Sequence, residues 1–173
     1  MGDIYEKVKT GRTALEKLTD FIPGWSGYQD RQSRRKADKL MRQNLAKKMS
    51  LRRQDLDAIQ RDLVDHGKMD FLDDVESAVT QLQAFIDRVR LASYGYSGLF
   101  DAVKINEAEL EQMYNFDAAL FDYVGRLKTA TDRLREAVST GEGLAQTIRT
   151  VQDTCREAND AFSQREHLIL ESQ

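Results

Sequence analysis

The feature that most constrains the fold of this chain is its single proline, Pro23, among 173 residues. Proline ends or kinks a helix, because it lacks a backbone donor and its ring clashes with the preceding turn. With one proline and ten glycines, most of the chain can form long, uninterrupted helices. No segment alternates apolar and polar residues as a half-buried strand requires. The sequence therefore predicts an all-α protein.

Apolar residues recur at helical spacing in five segments. Breaks are predicted near residues 22–28, 66–69, 93–106 and 140–143, where glycine, proline and polar residues gather. A helix must bury its apolar face against another helix or a sheet, and no sheet is predicted. We predict one domain over residues 1–173, an elongated antiparallel up-and-down bundle of four to five helices.

The predicted helices differ in how clearly their ends are marked. The first is expected over about 4–20 and the second over about 29–65, closed by His66 and Gly67. The third starts near Asp70 and has the clearest apolar stripe. The fourth opens with Asn106 as N-cap and Glu109 three residues later, which is the spacing of a capping box. The link between the third and fourth helices has about a dozen residues, longer than bundles usually use.

Charged residues interrupt two of the apolar seams. The seam of the second helix has coiled-coil spacing but contains Arg52. The seam of the fourth helix contains Asp117, seven residues after Leu110 and seven before Val124. A buried carboxylate is costly unless it is paired. We predict that Asp117 forms a structural ion pair with an arginine such as Arg34 or Arg52, and a functional carboxylate is the alternative.

Charge is distributed very unevenly along the chain. The segment from Arg31 to Arg53 holds ten basic residues and one acid, so its net charge is +9 although the whole chain carries −3. Arg35, Lys39, Arg42 and Arg53 are predicted to line one exposed side of the second helix. The segment can pair with the acidic start of the fourth helix, with Glu107, Glu109 and Glu111, or it can bind an external polyanion. We favour the internal pairing.

Two unusual loops are expected at one end of an up-and-down bundle. They are "IPGWSGY" at 22–28 and "SYGYSGLF" at 93–100, and they would bring five aromatic residues together: Trp25, Tyr28, Tyr94, Tyr96 and Phe100. One interpretation is a small aromatic core that closes the end of the bundle. The other is a recognition surface, because loops on rigid scaffolds often carry binding residues.

No catalytic or metal-binding motif is present in the sequence. The chain has two histidines, His66 and His167, and neither follows a glutamate at the Glu-x-x-His spacing of a di-iron bundle. The single cysteine, Cys155, lies on the apolar stripe of the fifth helix, so we expect a buried and unreactive thiol. We therefore predict no enzyme activity, no cofactor and no metal site.

The lone cysteine and the absence of a signal peptide or a spanning segment predict a cytoplasmic protein. The stretches "IPGWSGYQDRQSRRKADKL" and "YGYSGLFDAVK" resemble segments of an uncharacterised family of bacterial helical proteins. The resemblance covers about a fifth of the chain. It implies a bacterial, cytosolic protein and brings no activity, cofactor or site.

These patterns favour a non-enzymatic helical scaffold or adaptor that binds a protein partner through the aromatic end of the bundle. The alternative is a binder of nucleic acid or of an anionic membrane surface through residues 31–53. Self-association into a homo-oligomer stays open. The residues predicted to bind are Trp25, Tyr28, Arg31, Arg35, Lys39, Arg42, Tyr94, Tyr96 and Phe100.

Overall fold

The computed structural model describes residues 14–30, 32–92 and 106–171, and these residues form helices, turns and loops without any strand. Helix α1 covers residues 14–21 of the described chain. The others are α2 (Arg34–Asp65), α3 (Leu72–Leu91, after a 3₁₀ turn at Met69–Phe71), α4 (Glu107–Thr140) and α5 (Leu144–Glu171). The prediction of an all-α bundle of four to five helices is confirmed.

The helix ends follow the local signals in the sequence. At the end of α2, the Nδ1 atom of His66 lies 2.8 Å from the carbonyl oxygen of Asp62, and Gly67 takes a left-handed φ of +68°. At the start of α4, Asn106 and Glu109 form the predicted capping box, in which each side chain binds the backbone N–H of the other. Gly141 ends α4 with a φ of +76°. Local chemistry therefore fixes these ends.

Helix α2 begins at Arg34, five residues later than predicted. The carboxylate of Asp30 accepts hydrogen bonds from the backbone N–H of Gln32 at 3.1 Å and from the hydroxyl of Ser33 at 3.0 Å. Such local bonds give the backbone an alternative to the helix. The Nε of Arg34 also donates to the carbonyl oxygen of Tyr28 at 2.7 Å, which holds the chain in a loop ahead of the helix.

Four long helices form the bundle, and each packs against two others. Helix α2 lies beside α3 and α4, and α5 lies beside the same two helices. Successive helices alternate in direction, so α3 and α5 run parallel. Their contacts agree with this, because the hydrogen-bonded pairs Asp74–Gln152 and Gln81–Asn159 have the same sequence separation. Helices α2 and α4 are also parallel, because Arg165 of α5 contacts the beginning of both, at Asp38 and Asp117.

This arrangement places α3 and α4 at opposite corners of the bundle. They are the only consecutive long helices in the described part of the chain without an extensive shared interface. The segment at 93–105 must therefore connect diagonal positions rather than neighbours. This requirement accounts for a link longer than the two to eight residues typical of bundles.

The core is built from the apolar stripes predicted in the sequence. The seam of α2 is fully buried, and so is the stripe of α3, where Phe85 packs edge-to-face on Phe162 with ring centroids 6.0 Å apart. Helix α1 lies over α2 and α4, with Leu18 and Ile22 buried and Phe21 stacked on Phe121 at 5.3 Å. At about 1.5 Å per residue, the 32 residues of α2 and the 34 of α4 reach roughly 50 Å.

Removing the capping box should weaken the start of α4. We expect Asn106→Ala to lower the free energy of unfolding by about 1 kcal/mol, because the N–H of Glu109 loses its acceptor. Glu109→Ala should cost less once Asn106 is already replaced, since the two side chains act together. Urea unfolding followed by circular dichroism measures both values, and strictly additive losses would contradict the reciprocal cap.

Candidate functional site

A buried network of charged and polar side chains, centred on Arg165 of α5, lies inside the core near the end of the bundle where α2 and α4 begin. The Arg165 side chain is completely buried. Its Nε donates to Oδ1 of Asp117 at 2.5 Å, and its Nη2 donates to Oδ1 of Asp38 at 2.7 Å and to the hydroxyl of Tyr28 at 3.1 Å. One guanidinium therefore joins α5 to α4, to α2 and to the loop before α2.

Tyr28 and Arg42 extend the network through further hydrogen bonds. The Tyr28 hydroxyl donates to Oδ2 of Asp117 at 2.5 Å, so both oxygens of this carboxylate accept a bond. Arg42 donates from Nε to Oδ2 of Asp38 at 2.7 Å and from Nη1 to the carbonyl oxygen of Val89 at 3.0 Å. Through Arg42 the network also reaches the end of α3, so all four long helices contribute to it.

Burial shifts the acid–base properties of these groups. It raises the pKa of Asp117, and the guanidinium of Arg165 offsets part of this effect. Burial, followed by the carboxylate of Asp117, raises the pKa of Tyr28 well above its usual value, so the phenol remains a donor. For Arg165 burial favours the neutral form, but Asp117, Tyr28 and Asp38 together raise its pKa well above the ordinary value. Tyr28 and Arg165 therefore keep their protons at neutral pH.

The network is structural in its geometry. Arg165 and Asp117 have no exposure to solvent, and neither lines the groove between α2 and α4 or the hollow between α4 and α5. A buried ion pair adds little net stability over a well-packed apolar pair, but breaking it is costly, so it discriminates against alternative packings. Asp117 thus forms a buried pair with an arginine, as its seam position predicted.

Neither of the two arginines suggested as examples is the partner of Asp117. Its arginine is Arg165, whereas Arg52 pairs with Asp55 on its own helix at 3.4 Å and Arg34 binds the backbone of Tyr28. The sequence did contain a signal for Arg165. It lies three residues after Phe162 and four before Ile169, on the apolar stripe of α5, where an uncompensated arginine would be very costly.

The two described aromatic residues at this end of the bundle, Trp25 and Tyr28, belong to the core. Trp25 and Tyr28 are 5% and 0% exposed, so their prediction as contact residues is wrong for this conformation. Trp25 packs edge-to-face on Tyr28 at 5.1 Å and on Tyr114 at 6.0 Å, and its Nε1 donates to the carbonyl oxygen of Ala37. The hydroxyl oxygen of Tyr114 accepts a hydrogen bond from the backbone N–H of Tyr28 at 2.9 Å. The apolar pattern of the sequence did not single out Tyr114.

Four other predicted binding residues, Arg31, Tyr94, Tyr96 and Phe100, lie outside the described residues. The meeting of the two aromatic loops therefore stays a prediction.

The basic segment divides into several groups with different surroundings. Arg42 is buried in the network, so its prediction as an exposed binding residue is wrong, and Arg34 is buried as well. Arg53 pairs with Asp57 on its own helix. Within the described ranges no ion pair joins the segment to Glu107, Glu109 or Glu111, so the favoured internal pairing is not formed between these residues. The exposed cations are Arg35, Lys36, Lys39 and Lys47.

An open groove lies between α2 and α4, directly beyond the end of α1. Its volume is about 1030 Å³. Phe121, Ala130 and Thr154 are buried at its floor, and Phe21, Leu51 and Val124 add apolar surface. Five cations line it with a single acid, Asp122: Lys48, Arg52, Arg126, Lys128 and Arg133.

The cations of the groove are only partly neutralised within the chain. Arg126 pairs with Glu157 at 2.8 Å, and Lys128 pairs with Asp132 at 2.7 Å. Lys48 and Arg133 form no ion pair with any residue in the described part of the chain, although Lys48 lies 5.8 Å from the centre of the Phe21 ring. The groove therefore presents positive charge beside apolar surface.

Gly125 is an unusual residue in the wall of this groove. It lies inside α4, where glycine is about 0.5–1 kcal/mol less favourable than alanine. A Cβ atom added there would meet no atom of the described residues within 4 Å. Packing among the described residues therefore gives no reason for a glycine at this position.

The residues considered for catalysis have ordinary structural surroundings. Cys155 is buried, and burial raises the pKa of its thiol to about 12. His167 is exposed beside a shallow hollow between α4 and α5. Among the described residues, no three histidine, cysteine, aspartate or glutamate side chains are grouped so that they could hold a metal ion.

Comparison of the chain with models of protein families, with curated proteins and with solved structures finds no match. The resemblance to bacterial helical proteins stays a prediction. None of the described helices is both long enough and apolar enough to cross a membrane.

Replacing Arg165 should destabilise the whole bundle. We expect Arg165→Met to cost about 3–5 kcal/mol in the free energy of unfolding, because Asp117 loses this cationic partner while it stays buried. Adding Asp117→Leu should recover part of this loss. As a matched control, Arg156→Met on the exposed face of α5 should cost less than about 0.5 kcal/mol. Equal effects at the two arginines, measured by urea unfolding, would contradict the central role of Arg165.

The free energy of unfolding should fall above about pH 10, and part of this fall should come from Tyr28. The pKa of Tyr28 is raised in the folded chain, so unfolding at high pH releases its proton. The contribution of this group is therefore complete below about pH 10 and falls by up to about 1.4 kcal/mol per pH unit above it. Tyr28→Phe should lower stability at neutral pH but make the alkaline slope shallower. Urea unfolding at stepped pH compares the slopes, and identical slopes would refute the assignment.

Gly125→Ala should stabilise the protein. We expect a gain of about 0.5–1 kcal/mol, since alanine favours the helix and its Cβ enters open space. The matched control is the reverse change in another exposed helix interior, Ala84→Gly in α3, which should lose a similar amount. Thermal unfolding followed by circular dichroism measures both shifts. A loss of stability in Gly125→Ala would mean that the chain itself fills this part of the groove.

Proposed function

We propose that this protein is a non-enzymatic helical-bundle adaptor that binds a protein partner in the groove between α2 and α4. The observation that carries the proposal is the combination of buried apolar floor and cationic lining in one open groove of about 1030 Å³. Concave apolar surfaces with a few polar groups at their edges are typical of recognition sites. A cytoplasmic location fits the single unpaired thiol of Cys155.

This proposal moves the contact surface away from the aromatic end of the bundle. Trp25 and Tyr28 anchor the loop before α2, and their burial leaves them no role in direct contact with a partner. The aromatic end instead supports the groove indirectly, because it holds α1 in place and α1 forms one end of the groove through Phe21. The rigid network beneath Tyr28 then makes the groove a largely preformed site.

Site-specific photo-crosslinking tests the adaptor function. A benzophenone amino acid would replace Thr129 in the groove, and in a control variant Ala84, which is exposed on α3 and does not line the groove. We expect the Thr129 variant alone to give a discrete adduct with another protein in cells that produce the chain. Mass spectrometry would then map the crosslinked segment of the partner. Adducts of the same pattern from both positions, or none from Thr129, would refute the proposal.

A second candidate function is the binding of a polyanion along α2. Lys36, Lys39 and Lys47 are exposed, and their spacing of three and eight residues places them on one face of the helix. Such a row can contact the phosphates of a nucleic acid, and each contact releases counterions. The row spans about 16 Å at 1.5 Å per residue, which allows contact with only a few phosphates.

Salt dependence distinguishes this candidate from the adaptor. If the row binds phosphates, affinity for duplex DNA should fall steeply between 50 and 200 mM salt and disappear in a Lys36→Ala, Lys39→Ala, Lys47→Ala triple variant. Arg42 must stay unchanged in this test because it is part of the buried network. Binding that is unaffected by the triple change would exclude the lysine row. If the triple variant with the crosslinker at Thr129 still forms the same protein adduct, partner binding does not depend on the lysine row.

A further inference from the structure

We infer that the partner segment bound in the groove is a single amphipathic α-helix with acidic residues beside its apolar face, and that it approaches α4 most closely at Gly125. This inference rests on the proposed function and specifies the chemistry of the partner.

The α4 wall of the groove has the geometry that receives a helix. Phe121, Gly125, Thr129 and Arg133 all line the groove and follow one another at intervals of four residues. Residues at this spacing form a continuous ridge along a helix, and such ridges pack into the grooves of a second helix. Because the two middle members are small, the ridge has a dip at its centre. A second helix can therefore lie close to α4 at Gly125, where a Cβ atom would have open space around it.

Helix α1 shows that the same surface accepts a helix. It packs over α2 and α4 next to the groove, and its last residue, Phe21, stacks on Phe121 with ring centroids 5.3 Å apart. The open groove begins at Phe21 and Phe121 and continues along α4 as far as Arg133. From Phe121 to Arg133, α4 advances about 18 Å, which is the length of a helix of roughly 12 residues. The groove thus continues for about three helical turns beyond the end of α1.

The charge of the groove selects an acidic helix. Lys48 and Arg133 have no carboxylate partner in the described part of the chain, whereas Arg52, Arg126 and Lys128 each pair with one acid. Carboxylates beside the apolar stripe of the partner would meet these cations, whereas a basic helix would be repelled. Nucleic acid fits this groove poorly, because its phosphates would lie against the apolar floor and lose hydration there without a compensating contact.

A displayed peptide library tests the inference on the full chain. Each peptide would be an amphipathic helix of about 16 residues, with the centre of the apolar stripe varied among Leu, Ala and Gly and the flanking positions varied among Glu, Lys and Gln. We expect the peptides enriched on the protein to carry Glu beside the stripe and Ala or Gly at its centre. Enrichment of Lys-rich peptides, or no enrichment of any helix, would overturn the inference.

Binding of an enriched peptide to variants identifies the site. Fluorescence anisotropy should show at least tenfold weaker binding to Gly125→Trp, which fills the dip, and to the Lys48→Glu, Arg133→Glu double variant. Ala84→Trp on α3 is the matched control and should bind as the unaltered protein does. Circular dichroism checks that each variant is folded, and the charge variant decides the question if Gly125→Trp does not fold. Equal binding to all variants would overturn the inference.

Two outcomes separate this inference from the proposed function. If the segment crosslinked at Thr129 is basic or non-helical, the adaptor function stands and the acidic helix is wrong. If sedimentation instead shows a dimer that forms with increasing concentration and is lost in Gly125→Trp, the occupant is a second copy of this chain, and the inference of a separate acidic partner fails.

Discussion

The contacts of Arg165 are the interaction on which the rest of the structure depends. This one side chain meets Asp38 of α2, Asp117 of α4 and Tyr28 of the loop before α2, all inside the core. Similar apolar residues repeat along each stripe, so the apolar pattern alone marks the register of the four helices less sharply than these charges do. A shift by one turn would separate buried charges, which is costly. The network therefore selects one register, and that register also positions the loop and α1.

Much of the fold could be predicted, because helix ends and apolar stripes depend on residues close together in sequence. The capping box at Asn106 and the end of α2 at His66 followed directly from local chemistry. The pairing of Asp117 could not be derived in this way, since its partner lies 48 residues away and several buried or half-buried arginines were available. The start of α2 was also misplaced, because a turn organised by Asp30 and a contact from Arg34 to Tyr28 override the helical pattern.

The candidate site was harder to predict than the fold. Trp25, Tyr28 and Arg42 have the composition of a binding surface, but whether such residues face solvent depends on the arrangement of four helices. The groove cannot be read from any one segment, because α1, α2, α4 and α5 all contribute to it. In the sequence, Gly125 is a glycine inside a helical pattern, which is only a weak indication of a binding site. The structure adds the open space beside it, where alanine would be more stable.

The diagonal connection between α3 and α4 has a consequence for the order of folding. It divides the chain into two helical hairpins, α2–α3 and α4–α5, whose contacts are local and inexpensive in loop entropy. The contact between Asp38 and Arg165 joins residues 127 positions apart, so it can form only when the hairpins dock. Before docking, Asp38 and Arg165 both remain hydrated, so no charge-burial penalty for this pair opposes the formation of either hairpin. Docking in the native register is thus the step at which the chain loses this hydration, and we expect that step to limit the folding rate.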